Sequence, residues 1–180
     1  MRSVEGGRHP GWGTANRIIP LGDSYLELVS VIDEREARAS QFGRWVAAGE
    51  TPTGRAIGWA VRPDDLDATA AQLGLEISRG SRARLSGERI EWLTAGIDMA
   101  ARRPWLPFFI AWADTATFPG TTATPHAAVT RLEIEGDPDE LSAWLGEHAL
   151  PIDVKPGNAG ITAVLLDGPR GALRLGGYAE

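Results

Sequence analysis

The sequence predicts an α+β protein assembled from repeated βαβββ units, and three observations carry that prediction. Residues 56–114 read as strand, helix and three strands, residues 128–180 repeat that order, and residues 12–31 read as the closing hairpin of a further unit. The opening unit is therefore expected to be incomplete at its N-terminal side, lacking its first strand and helix.

Taken in order, residues 15–21 alternate as one strand, Gly22-Asp23-Ser24 forms a tight turn, and residues 25–31 make the second strand. On that second strand Tyr25, Glu27, Val29 and Val31 share a face, which places an acid among apolar neighbours. Residues 33–55 form a polar connector of helix and loop, with Phe42, Trp45 and Val46 spaced as a docking stripe. In the second unit "AIGWAVR" is a strand, Asp64 or Asp65 caps the helix "LDATAAQLG", and Gly74 closes it. Strands follow at 77–85, 89–95 and 107–113. A linker rich in Thr, Pro and Ala spans 115–127. The third unit then carries "AVTRLEIEG", a helix from Asp137 or Asp139 through His148, and three strands near 152–154, 161–166 and 172–176. Asp64-Asp65-Leu66 matches Asp139-Glu140-Leu141 at the helix starts, and the last strands "LEL", "IAW" and "LRL" align with one another.

Composition excludes several classes. With 180 residues, 43% of them hydrophobic, the chain can bury a core as one domain or as small units sharing one. It has no cysteine, so thiolate metal sites, disulfides and cysteine nucleophiles are ruled out. A net charge of −6 and a pI near 5.1 oppose generic nucleic-acid binding. Lys155 is the single lysine, and every other Lys or Arg cation is an arginine. No leader-like segment or long apolar run is read in the chain, so the expectation is a cytoplasmic protein with no membrane contact.

The stretch "GGRHPGWGTANRIIPLGDSYLELVSV", followed by "WAVRPDDLDATAAQLG" and "LPFFIAW", resembles the glyoxalase-like branch of the vicinal oxygen chelate superfamily. The ordered pattern His-x-Gly-x-Gly-Thr-x-Asn, then a hairpin ending in Tyr-Leu-Glu-Leu, carries the resemblance from about Gly6 to Trp112. It implies paired units in a curved mixed sheet around a cup-shaped pocket. In metal-using relatives a divalent ion such as Zn, Ni, Mn or Fe sits in that cup and chelates the substrate. By this resemblance Glu27 is the last-strand metal ligand. The equivalent positions of the other units fall at Ala111 and Arg174, and the partner histidine's strand is absent, so the ligand set is short. The implied functions are a metal-dependent lyase, isomerase or dioxygenase using Lewis-acid polarisation, or a non-catalytic protein that sequesters a small molecule. A homodimer is implied as well.

Each singled-out residue has a plainer reading beside its functional one. Glu27 acts as ligand or base, or pairs with Arg17 across the hairpin. His9 is a ligand or general base, or it fixes the Pro10-Gly11 turn; the turn is the favoured account. Thr14, Asn16, Tyr25, Trp59 and Trp112 are the expected substrate contacts, with Trp59 on the second unit's first strand. Trp12, Trp92 and Trp105 read as core or pocket wall. Arg79, Arg82, Arg84 and Arg89 read as a solvated strand face in preference to an anion site. His126 and His148 have no metal-like companions. Gly22-Asp23-Ser24 is a turn in preference to a serine nucleophile, because a strand follows Ser24 and no downstream Asp-x-x-His completes a triad.

Overall fold

The computed structural model describes residues 1–52, 54–112 and 117–176. Seven strands form one strongly curled sheet: β1 (Val4–His9), β2 (Thr14–Pro20), β3 (Tyr25–Val31), β4 (Ala60–Val61), β5 (Ile77–Ala83), β6 (Arg89–Ala95) and β7 (Phe108–Trp112). Their spatial order is β3-β2-β1-β5-β6-β7-β4. The two halves mirror each other. Antiparallel β1-β2-β3 answers β5-β6-β7, the halves meet where Arg8 pairs with Ala83, and β4 adds a parallel strand beside β7.

The hairpin of β2 and β3 and its turn stand where the alternation puts them, with Ile18 opposite Glu27. β1 is an addition to the strands read from sequence. Its composition, VEGGRH, is poor in β-formers, and its register shifts between Glu5 and Gly7, so neither propensity nor strict alternation announces it.

The connector contains two helices, α1 (Glu34–Ala39) and α2 (Gln41–Gly49), with Val46 buried beneath the second. Helix α3 (Leu66–Leu73) starts at Asp65, whose carboxylate accepts from the Ala68 N–H at 2.9 Å, and ends at Gly74 with φ 65°. It covers the convex face of the sheet, where Leu66 and Ala70 pack on Ala95, Phe109 and Ala111. A short helix α4 (Ile97–Arg102), not foreseen from the sequence, joins β6 to β7.

The third unit has the expected order: β8 (Ala128–Gly136), α5 (Pro138–Leu145), β9 (Ile152–Pro156), β10 (Gly160–Gly168) and β11 (Gly171–Gly176). Its pairing differs from that of the second unit. β8 lies parallel to β9, the strand that follows its helix, whereas β4 lies parallel to β7, the last strand of its unit. These strands form a separate sheet, β11-β10-β8-β9. Helix α5 is capped by Asp137, which accepts from Asp139 and Glu140 N–H, so the cap that corresponds to Asp65 lies ahead of the Asp139-Glu140-Leu141 match. Leu106, Ile134 and Leu141 form the core between this unit and the convex side of the first sheet, with Trp59, Trp105 and Trp144 around them. Trp144 donates to Pro107 O at 3.0 Å, and Arg103 pairs with Glu140. Among the described residues no helix is long and apolar enough to cross a membrane.

Candidate functional site: a polar cluster in the concave cup

Strand alternation sends one row of each strand into the hollow of the curled sheet. His9 comes from β1, Asn16 and Ile18 from β2, Tyr25 and Glu27 from β3, and Arg82 from β5, while Trp92, Ile110 and Trp112 line the other half. Phe42 from α2 and Trp12 from the β1–β2 turn close one end, their rings 5.0 Å apart. The open space of the cup measures about 30 Å³.

The His-x-Gly-x-Gly-Thr-x-Asn motif is the end of β1, its turn and the start of β2. Pairing of His9 with Thr14 across that turn brings His9 Nδ1 to 2.7 Å from Thr14 Oγ1. Thr14 is fully buried and positions the imidazole. His9 is 3% exposed, ringed by Trp12, Phe42 and Trp92. Burial, and then the nearby Arg82 charge, pull its pKa down to about 4. The imidazole is thus neutral near neutral pH.

Asn16 Nδ2 donates to Glu27 Oε1 at 2.7 Å, and His9 Nε2 lies 4.0 Å from the same oxygen. Glu27 lines the cup with protein around it, yet 31% of its side chain is exposed. Loss of hydration pushes its pKa above the ordinary carboxylate value, and the Asn16 hydrogen bond and Arg82 charge oppose that only in part. With His9 neutral, the His9–Glu27 contact is not an ion pair. Burial likewise pushes the Tyr25 phenol upward, with Glu27 adding to it.

Arg82 is fully buried, only 1% exposed. Its burial depresses the guanidinium pKa. Cζ lies 5.9 Å from the Trp112 ring, and Arg82 Nε has no hydrogen-bond partner among the described residues.

The glyoxalase-like domain family matches residues 1–149. The chain belongs to that family, within the vicinal oxygen chelate superfamily. A crystal structure of a hypothetical protein from Staphylococcus aureus has the same fold, with a TM-score of 0.62 at 12% identity over 99% of this chain and 78% of that one. No curated protein matches the sequence.

Within this glyoxalase-like chain, His9, Asn16, Tyr25, Glu27 and Trp112 come together in the cup, and Thr14 supports His9 from beneath. Trp59 does not join them. Its Nε1 donates to Trp105 O at 3.1 Å and its ring packs on the convex side. Ala111 also faces that side, so the inward positions of β7 are Ile110 and Trp112, and the "LEL"–"IAW" alignment is one residue out of phase. Arg174 lies in the second sheet and pairs with Glu133 at 2.7 Å, away from the cup. Arg17 serves Ser3 on the outer face, bonding Oγ at 2.8 Å, and leaves Glu27 to Asn16.

Arg82 overturns its reading as part of a solvated face. Its signal lay in the hairpin register: Gly80 opposes Trp92 and Arg82 opposes Ile90, so both share the inward row. Gly80 is needed there, since a Cβ would stand 2.3 Å from Trp92 Nε1. Phe42 was visible as part of a docking stripe but not as a pocket wall.

The cup supplies a divalent cation with few donors. Among the described residues His9 and Glu27 are its only histidine and acid, the inward β7 positions are Ile110 and Trp112, and Arg82 adds a buried positive charge. Among the described residues no three His, Asp or Glu side chains cluster as ligands. The described residues of the cup do not by themselves make up a metal site of the usual kind.

A larger open cleft of about 570 Å³ lies between Arg2, His126, Arg170 and the β10–β11 hairpin. It lacks the buried polar convergence of the cup, which marks the cup as the better candidate.

Proposed function

We propose that the protein binds a small organic molecule in the cup. The carrying observation is the convergence of aromatic walls with Glu27, Asn16, His9, Tyr25 and Arg82 on one concavity. Of the seven tryptophans, Trp12, Trp92 and Trp112 line it, whereas Trp59, Trp105 and Trp144 pack on the far side. Indole N–H NMR signals then discriminate: small aromatic fragments are expected to shift the first three and leave the second three in place. Shifts confined to residues of the Arg2–Arg170 cleft, or to the far tryptophans, would sink the proposal.

A catalytic reading is favoured by one further observation, a carboxyl of raised pKa facing a neutral imidazole 4.0 Å away. Glu27 would take a proton from the bound molecule, with its basicity moved toward neutrality by burial. Asn16 would orient the carboxylate, and Thr14 would hold the imidazole tautomer. This chemistry rests on groups the chain itself supplies. A metal-dependent lyase, isomerase or dioxygenase would need further ligands, so protein loaded with excess zinc, nickel, manganese or iron is expected to lose the metal on dialysis. Near-stoichiometric retention, abolished in Glu27→Ala, would reinstate a metal centre.

A further inference from the structure

We propose that the cup takes a small organic monoanion, a carboxylate on a flat apolar body, with the carboxylate held by Arg82 Nε–H and Trp112 Nε1–H. This deepens the small-molecule reading and rests on it. Buried polar atoms in folded proteins nearly always have partners, so a buried donor without one asks for an explanation. Arg82 Nε and Trp112 Nε1 are both buried and without a hydrogen-bond partner among the described residues. Both belong to residues lining the cup, and the guanidinium carbon lies 5.9 Å from the Trp112 ring.

Both orphans are donors, so their complement is an acceptor. The other unpartnered atom of the cup, Asn16 Oδ1, is turned toward Gly6 on β1, where a Cβ would stand 1.9 Å from it. Ser24 and Arg84 account for the remaining orphans and do not line the cup.

The charge balance selects a monoanion. Among the described lining residues Arg82 is the sole Lys or Arg, His9 is neutral near pH 7, and Glu27 already places an acid in the cup. A doubly charged phosphate would therefore lack a second cation. One guanidinium matches one carboxylate in charge and in hydrogen-bond geometry. The open space of about 30 Å³ exceeds the roughly 10–15 Å³ that holds a single water. Trp92, Trp112 and Phe42 offer the walls for the apolar body.

Benzoate and benzamide test this, since they share a shape and differ in charge. Calorimetry and the indole NMR signals would be recorded for wild type, Arg82→Met and Trp112→Phe. Benzoate is expected to bind wild type about tenfold more tightly than benzamide, as a charge-assisted hydrogen bond implies. Arg82→Met should erase that preference, and Trp112→Phe, which keeps a ring, should reduce it. Should Arg82→Met fail to fold, the wild-type ratio and Trp112→Phe still decide. Equal binding of the two probes with shifts at Trp12 and Trp92 would overturn the anion proposal and leave the cup as a binding site. No shift at any cup indole with either probe would overturn both.

Discussion

Gly13→Ala is expected to cost about 3–5 kcal/mol of folding stability, whereas Gly11→Ala, two residues earlier in the same turn, should cost only about 1 kcal/mol. Both glycines have positive φ, 67° and 76°, so backbone strain alone would treat them alike. What separates them is space. A Cβ on Gly13 would lie 2.3 Å from both Ala37 N and Asp33 O, while a Cβ on Gly11 meets nothing within 4 Å. Gly13 also accepts hydrogen bonds from Ile32 N at 2.8 Å and Asp33 N at 3.1 Å, so the β1–β2 turn is tied to the start of α1. Backbone on both sides leaves no flexible side chain to move aside, and relief must come from displacing α1. Because α1 runs into α2, which carries Phe42, the disturbance would reach the cup as well. Urea denaturation of the two variants checks this; equal losses would show that close approach is not what requires glycine at Gly13.

That contrast bears on how much was legible in the sequence. The motif's glycines read as backbone bends, which they are, but only three-dimensional packing separates a bend against a helix from a bend in open space. The elements with strong local signals were readable: the capped helix α3, the β2–β3 hairpin, and the β5–β6 pair around Ser86-Gly87-Glu88. β1 was not, because its two central glycines and charged flanks give it no strand character, and it exists as the seam between half-sheets. The third unit shows the limit of element order as a guide. β8-α5-β9 repeats the order of β4-α3-β5, yet partner choice between strands is settled by non-local packing, and Ile134 and Leu141 bury themselves against Leu106 on the convex side.

The candidate site was legible in proportion to the strength of alternation. Tyr25 and Glu27 follow from strict period-two reading of β3, and their face is the cup. Arg82 escaped because a charged residue among Arg79, Arg84 and Arg89 looks like surface. Only registering it against Ile90 exposes the anomaly: a cation at a position whose neighbour across the hairpin is 1% exposed. Trp59 misled for the complementary reason. A large ring on a unit's first strand fits a pocket wall as well as a core, and its Nε1 bond to Trp105 O decides for the core.

The pH dependence of stability should carry opposite contributions from His9 and Glu27, and Glu27→Gln should unmask the histidine. His9 falls from an ordinary 6.5 to about 4 on folding, so between those values the unfolded chain binds more protons than the folded one. Its contribution is fully present above pH 6.5 and is lost as pH falls toward 4, a swing of roughly 3 kcal/mol at 1.36 kcal/mol per pH unit. Glu27 shifts the other way. Its folded pKa is raised from 4.5, so the folded chain holds its proton more tightly, and stability falls as pH rises from about 4.5 through the folded value. The two trends overlap and partly cancel in the wild type. Glutamine keeps an oxygen for Asn16 Nδ2 and removes the ionisation, so Glu27→Gln should be more stable than wild type near neutrality. That advantage should shrink to nothing below about pH 4, where Glu27 is protonated in both states. Arg82 and Tyr25 are the other ionisable groups of the cup; burial pushes the Tyr25 phenol further above this window and lowers the Arg82 guanidinium from an ordinary value far above it. Urea midpoints from pH 4 to pH 8 give the measurement. Parallel profiles for wild type and Glu27→Gln would mean that Glu27 titrates as an ordinary surface acid, and the proton-acceptor role proposed for it would go with that result.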